Sequence, residues 1–198
     1  MLAKISKNIV SWLIECEMIC KDDRELYEYA AFNYMFSLLP FFIIVPFALL
    51  TGRIINAIIL ISVFLHIRTY GGGYHAKTRE RCFICSCSIM MVAIYLTALL
   101  HNNIYIGIIV LVSGVVTGIL SPVESVNKRL EPYEEIRYRR KTQILVCLFV
   151  AIYFLLTYLG LEQYAVSAAL GISLVAMLQL TGVMMKCNKN ARFVSFHA

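Results

Sequence analysis

A histidine and a cysteine stand seven residues apart in the stretch RTYGGGYHAKTRERC, residues 68–82, with a glycine triplet just before them and basic residues on either side. Apolar runs flank the stretch, SVFLHI before it and FICSCSIMMVAIYLTALL after it. A polar connection between two greasy segments needs neither a histidine nor a cysteine. Those two residue types form an acyl-transfer pair, in which imidazole exchanges protons near neutral pH and sulfur is the nucleophile. Cys82 is expected at the first position of a helix, beside Arg79 and Arg81. The positive end of the helix and the two guanidinium groups favour the thiolate form. Gly71, Gly72 and Gly73 supply backbone without side chains, which can approach a peptide closely or offer N–H groups to an oxyanion. Glu80 is a candidate orienting group. On one straight helix His75 and Cys82 would be separated by about 10.5 Å along the axis, too far for a hydrogen bond. A His75–Cys82 dyad therefore requires a fold-back or kink between the two residues.

The residues admit other chemistry. Cys82, Cys85 and Cys87 read C-x-x-C-x-C and, with His75 or His66, suggest a metal site. Against it, positions 85 and 87 point to different faces of a helix and no second cluster is present. A small membrane transporter or metal permease using these ligands is the alternative function, but it would need polar groups deep in several spans. The triplet does not match the phosphate-binding pattern G-x-x-x-x-G-K-[ST].

The elements that must position these residues follow from composition. Hydrophobic residues make up 60% of the 198, and charged residues 15%, against about 25% charged in soluble domains. Apolar runs lie at 29–50, 54–67, 82–100, 104–120, 144–159 and 164–185. Spanning a bilayer takes about 17–25 residues, and the shorter runs extend by snorkelling of flanking polar residues. The expected fold is an all-α membrane protein of six transmembrane helices, forming a single domain over 1–198. The first twenty residues read as an interfacial amphipathic helix, with Leu2, Ile5, Ile9, Trp12, Leu13 and Cys16 opposite Lys4, Lys7, Asn8, Ser11 and Glu15. That segment lacks the apolar core and cleavage site of a signal peptide.

Charge gives the orientation. Of the 18 Lys and Arg residues, all but Arg53 fall on one face of the six-span arrangement. The positive-inside rule makes that face cytoplasmic, with both termini and the 68–82 loop. Seven cysteines, an odd number partly in a reducing compartment, argue against a disulfide framework. Gly114 and Gly118 form a small-xxx-small pair suited to helix packing, within a subunit or in a homodimer, which is the expected assembly.

The run R-T-Y-G-G-G-Y-H-A, with cysteine seven residues after the histidine, closely resembles the AgrB family, the polytopic membrane peptidases of Gram-positive quorum sensing. SPVESVNKRL at 121–130 resembles that family's proline–asparagine–lysine motif, with Val126 and Arg129 where prolines are common. The resemblance implies that Cys82 is the nucleophile and His75 the base, with no cofactor, no metal and no nucleic-acid partner. Arg68 and Gly71–Gly73 would position substrate or stabilise an oxyanion. The implied substrate is an AgrD-like precursor with an acidic C-terminal segment, presented at the lipid bilayer of a bacterial cell. Lys128, Arg129, Arg137, Arg139, Arg140 and Lys141 are candidates for docking that acidic segment.

Overall fold

A computed structural model describes residues 2–73, 78–123 and 132–195. Nearly all of them are helical. Helix α1 (Leu2–Glu15) is followed by α2 (Arg24–Leu38), α3 (Phe41–Leu50), α4 (Ile54–Gly71), α5 (Arg79–Leu99), α6 (Ile104–Leu120), α7 (Pro132–Tyr158) and α8 (Glu162–Ser195). Five segments are long and apolar enough to cross a membrane: Lys21–Leu50, Ile54–Gly71, Glu80–Leu99, Tyr133–Tyr158 and Glu162–Met185. Ile104–Leu120 is apolar but shorter, and an expected total of six spans depends on it.

The chain separates into two compact units, Met1–Pro46 and Phe47–Ala198. In the first, α1 packs on α2. Ser6 and Val10 are buried, while Ile5, Ile9 and Trp12 on the apolar face of α1 stay exposed, as an interfacial helix requires. Arg24 joins the two helices through Ser11 Oγ at 3.2 Å and also pairs with Glu28 at 2.8 Å.

In the second unit α8 packs against α4, α6 and α7. Small residues make this close approach possible. Ala165, Ala168, Ala169 and Ala176 are buried. A side chain on Gly171 would come within 2.9 Å of Val63 Cβ on α4. Gly114 of α6 lies against Val146 and Val150 of α7, where a Cβ would sit 3.3 Å from each. That half of the small-residue pair therefore serves packing within the chain.

Local chemistry sets the helix ends near the polar loop. Thr78 caps α5, its Oγ1 accepting the Arg81 N–H at 3.4 Å. At the opposite end of the unit Asn103 caps α6 in the same way, accepting Ile106 N–H at 3.0 Å. Pro132 opens α7, followed by Glu134 and Glu135 in the first turn, where proline loses no hydrogen bond and carboxylates meet the positive helix end. At the far end of this unit, Tyr153 Oη donates to Asn102 Oδ1 at 2.8 Å, and Asn56 Nδ2 donates to Gln163 O and Ser167 Oγ.

Candidate active site

The glycine stretch is where α4 stops. Gly72 has φ +69° and ψ −150° and Gly73 has φ +131°. Side-chain-bearing residues avoid both conformations. Gly72 N–H donates to Arg68 O at 3.0 Å, closing the helix. From there the backbone meets a segment remote in sequence. Val123 N–H donates to Gly71 O at 3.0 Å, and Gly72 pairs with Val123 in a short parallel bridge. A Cβ on Gly72 would press into the Val123 carbonyl. The glycines thus permit a backbone-to-backbone contact between the end of α4 and the chain leaving α6, as well as a turn.

A third element closes the arrangement. Gln179, on α8, is fully buried. Its Nε2 donates to Gly71 O at 3.0 Å and to Ser121 Oγ at 3.0 Å. The Gly71 carbonyl can only accept, which fixes the amide with nitrogen toward the turn. Gln179 Oε1 is left buried with no hydrogen-bond partner among the described residues. A buried polar atom in that condition costs about 1–3 kcal/mol. Sequence reading did not single out Gln179. The available signal was an amide within the apolar run of α8, a position where polar groups carry a cost.

Arg68 lies one helical turn before the glycines. Its guanidinium stands 5.6 Å from the Phe64 ring centroid, and a Cβ on Gly73 would be 3.3 Å from its Nη1. It interacts electrostatically with Cys82. Arg68 and Gly73 therefore lie against each other at the end of α4, and Cys82, from α5, is within electrostatic reach of the guanidinium. Cys82 is half-buried. Sequence reading placed it at the first position of its helix, but α5 starts at Arg79, because Thr78 supplies the cap. Cys82 is the fourth residue, and its own N–H already donates to Thr78 O at 3.0 Å. It still lies in the first turn, where the positive helix end acts. Glu80 is exposed in the same turn. Cys85 is exposed and Cys87 buried, the divergence expected for residues two apart. His75 lies outside the described residues, between the end of α4 and the start of α5.

The basic run of α7 approaches the same end of the unit. Lys141 Nζ stands 4.7 Å from the Tyr70 ring centroid, and the Tyr70 and Tyr138 rings are 5.8 Å apart. Arg139 Nη2 donates to Ile119 O at 3.1 Å and Gln143 Nε2 to Gly118 O at 3.3 Å. These are carbonyls of the last turn of α6, where a cation and donors are favourable. Arg137 and Arg140 are exposed. Lys128 and Arg129 lie outside the described residues.

Among known proteins, the model of the family described as accessory gene regulator B, AgrB, matches residues 6–181. No curated protein and no solved structure matches the chain.

Proposed function

The chain belongs to the AgrB family, membrane proteins involved in processing the AgrD precursor in quorum sensing, and we propose that it acts on that precursor as a cysteine endopeptidase with Cys82 as nucleophile. The observation carrying this reading is the half-buried Arg68 guanidinium lying against the glycine turn, within electrostatic reach of Cys82. A sulfur nucleophile with a cation within electrostatic reach is suited to acyl transfer from a peptide.

The steps balance without a cofactor. Cys82 gives its thiol proton to His75 and its sulfur attacks the carbonyl carbon that precedes the leaving segment, while Arg68 faces the negative charge that develops on oxygen. The C–N bond breaks, His75 gives its proton to the departing amine, and a thioester joins Cys82 to the precursor. The precursor's own thiol or hydroxyl then attacks the thioester carbonyl and passes its proton to His75. A thiolactone or lactone forms and Cys82 is released. Exchange of one thioester for another conserves bond type, so ring closure need not be strongly uphill. Holding both partners at one membrane raises their effective concentration.

In this reading the charge asymmetry of the loops puts the glycine turn and both termini on the cytoplasmic side. The exposed Arg137 and Arg140 attract the acidic end of the precursor, together with Lys128 and Arg129. The protein works as a homodimer. Co-expression with the precursor, followed by mass spectrometry, tests the central claim. Cleaved, cyclised product is expected from the unaltered chain and none from Cys82→Ala, while Cys85→Ala and Cys87→Ala retain most of it. Equal loss at all three cysteines would overturn the assignment.

A further inference from the structure

We infer that Gln179 is a positioning residue of the active site, the group that holds the glycine turn in register with Arg68 and Cys82; this inference rests on the peptidase reading above. Three features support it. First, its single amide nitrogen is bonded at once to Gly71 O and Ser121 Oγ, each at 3.0 Å. It thus ties the end of α4 to the chain leaving α6 at the point where Val123 N–H meets the same Gly71 carbonyl. Second, the fit leaves no room for substitution on the other side. A Cβ on Gly71 would lie 2.7 Å from Gln179 Nε2 and 3.2 Å from Ser121 Oγ. The absence of a side chain at Gly71 and the presence of an amide at Gln179 are therefore one arrangement. Third, the turn of α8 that carries Gln179 also reaches the next part of the turn, since a Cβ on Gly73 would be 3.4 Å from the Leu178 backbone. Gly73 is the glycine beside Arg68.

Stability alone does not explain a glutamine here. Its Oε1 has no partner among the described residues, so the amide carries a cost of its own, set against the bonds it gives to Gly71 O and the buried Ser121 hydroxyl. What only the amide supplies is a pair of N–H donors in a fixed fork. One meets the Gly71 carbonyl and the other the Ser121 hydroxyl. Fully buried and two-fold engaged, Gln179 does not touch substrate. It acts through Gly71–Gly73, which it keeps against the Arg68 guanidinium. The two donors also link the 121–123 segment, which leads toward the basic docking residues, to the segment that carries the chemistry.

The test uses the full chain in lipid, with two readouts. Gln179→Met keeps length and volume but removes the donors. Hydrogen exchange followed by mass spectrometry should show the amides of 71–73 and 121–123 exchanging roughly tenfold faster, with α8 itself unchanged, because one local contact was removed. Precursor cleavage should lose about tenfold to a hundredfold in saturated rate, with KM within about twofold, as a displaced positioning group predicts. Gly71→Ala should lose a similar amount. Combined with Gln179→Ala it should add less than about threefold to the loss from Gln179→Ala alone, since both changes act on one contact. Unchanged exchange at 121–123 would overturn the contact. Faster exchange with an unchanged saturated rate, an effect on KM alone, or losses that multiply in the double variant would overturn the role. The exchange measurement needs no activity, so it decides the contact separately from the peptidase reading, which stands or falls on Cys82-dependent cleavage by the unaltered chain.

Discussion

Gly72→Ala should nearly abolish precursor cleavage, whereas Gly160→Ala should leave it intact, although both glycines have positive φ. At Gly160, φ is +73° and no atom lies within 4 Å of the place a Cβ would occupy. Only backbone strain is incurred there, about 1–2 kcal/mol. At Gly72, φ +69° combines with ψ −150°, a region close to glycine-only, worth about 1–3 kcal/mol. The added methyl group also meets the Val123 carbonyl. Backbone cannot rotate away as a flexible side chain can, so the Gly72–Val123 bridge must open. That removes the 3.0 Å bond from Val123 N–H to Gly71 O, a net loss of about 0.5–1.5 kcal/mol. The combined destabilisation is about 2–4 kcal/mol, and it falls on the turn that faces Arg68 and Cys82. Relieving the overlap takes a displacement of roughly 1 Å, and a misplacement of that size at a reacting centre costs about 10²-fold in rate. The assay is single-turnover cleavage in proteoliposomes, read as C-terminal fragment by mass spectrometry, with thermal melting of each variant alongside. A Gly72→Ala protein that cleaves within about threefold of the unaltered one would refute this reasoning. So would a Gly160→Ala protein that is equally impaired.

Arg68→Gln removes the cation and keeps a polar amide on a shorter side chain, and the saturated cleavage rate should fall about 10²-fold with little change in KM, as for loss of an oxyanion-stabilising group; a change in KM alone would make Arg68 a docking residue. Neutralising Arg137 and Arg140 together should raise KM several-fold and spare the saturated rate, because exposed charges contribute about 0–1 kcal/mol each. Arg139 is left out of that pair because its bond to Ile119 O makes it part of the α6–α7 packing, and its loss would confuse docking with folding. A membrane-impermeant maleimide should label Cys82 in inverted vesicles and leave it unlabelled from outside intact cells; labelling from outside would reverse the proposed orientation.

Much of the fold was legible in the sequence because a bilayer allows few solutions. Apolar runs of sufficient length must be helices, since lipid offers backbone groups no other partners. The runs fall on the five segments long enough to span and on the shorter α6, but miss several ends. Apolar content places the end of the second run at 67, yet α4 continues through Arg68 to Gly71. Arg68 is carried in helical form with its guanidinium near the Phe64 ring. At α7 the charged stretch before residue 144 carries no hydropathy signal, but it is helical from Pro132, with Glu134 and Glu135 in the first turn. The start of α5 was legible in principle, as Thr78 three residues before Arg81 is a capping arrangement.

The candidate site was legible where it is local and illegible where it is not. The spacing of His75 and Cys82 and the glycines between two spans can be read along the chain. What holds the glycines cannot: Gln179 is 108 residues from Gly71 and 58 from Ser121, and no local pattern encodes a contact at that separation. The same remoteness bears on how negative charge is stabilised. Two backbone donors, one in the glycine turn and one at Cys82 itself, are already engaged, Gly72 N–H with Arg68 O and Cys82 N–H with Thr78 O. Stabilisation by backbone, a natural expectation for a glycine triplet, therefore cannot use either of them without undoing a helix end. The cation within electrostatic reach of Cys82 comes from the last turn of a different helix, which in the proposed reading gives that role to Arg68 rather than to the glycine amides. The glycines then serve a different purpose from the one their composition suggests. They let the α4 terminus lie against the Val123 backbone and the Gln179 amide, and in the proposed reading that contact holds the turn beside Arg68.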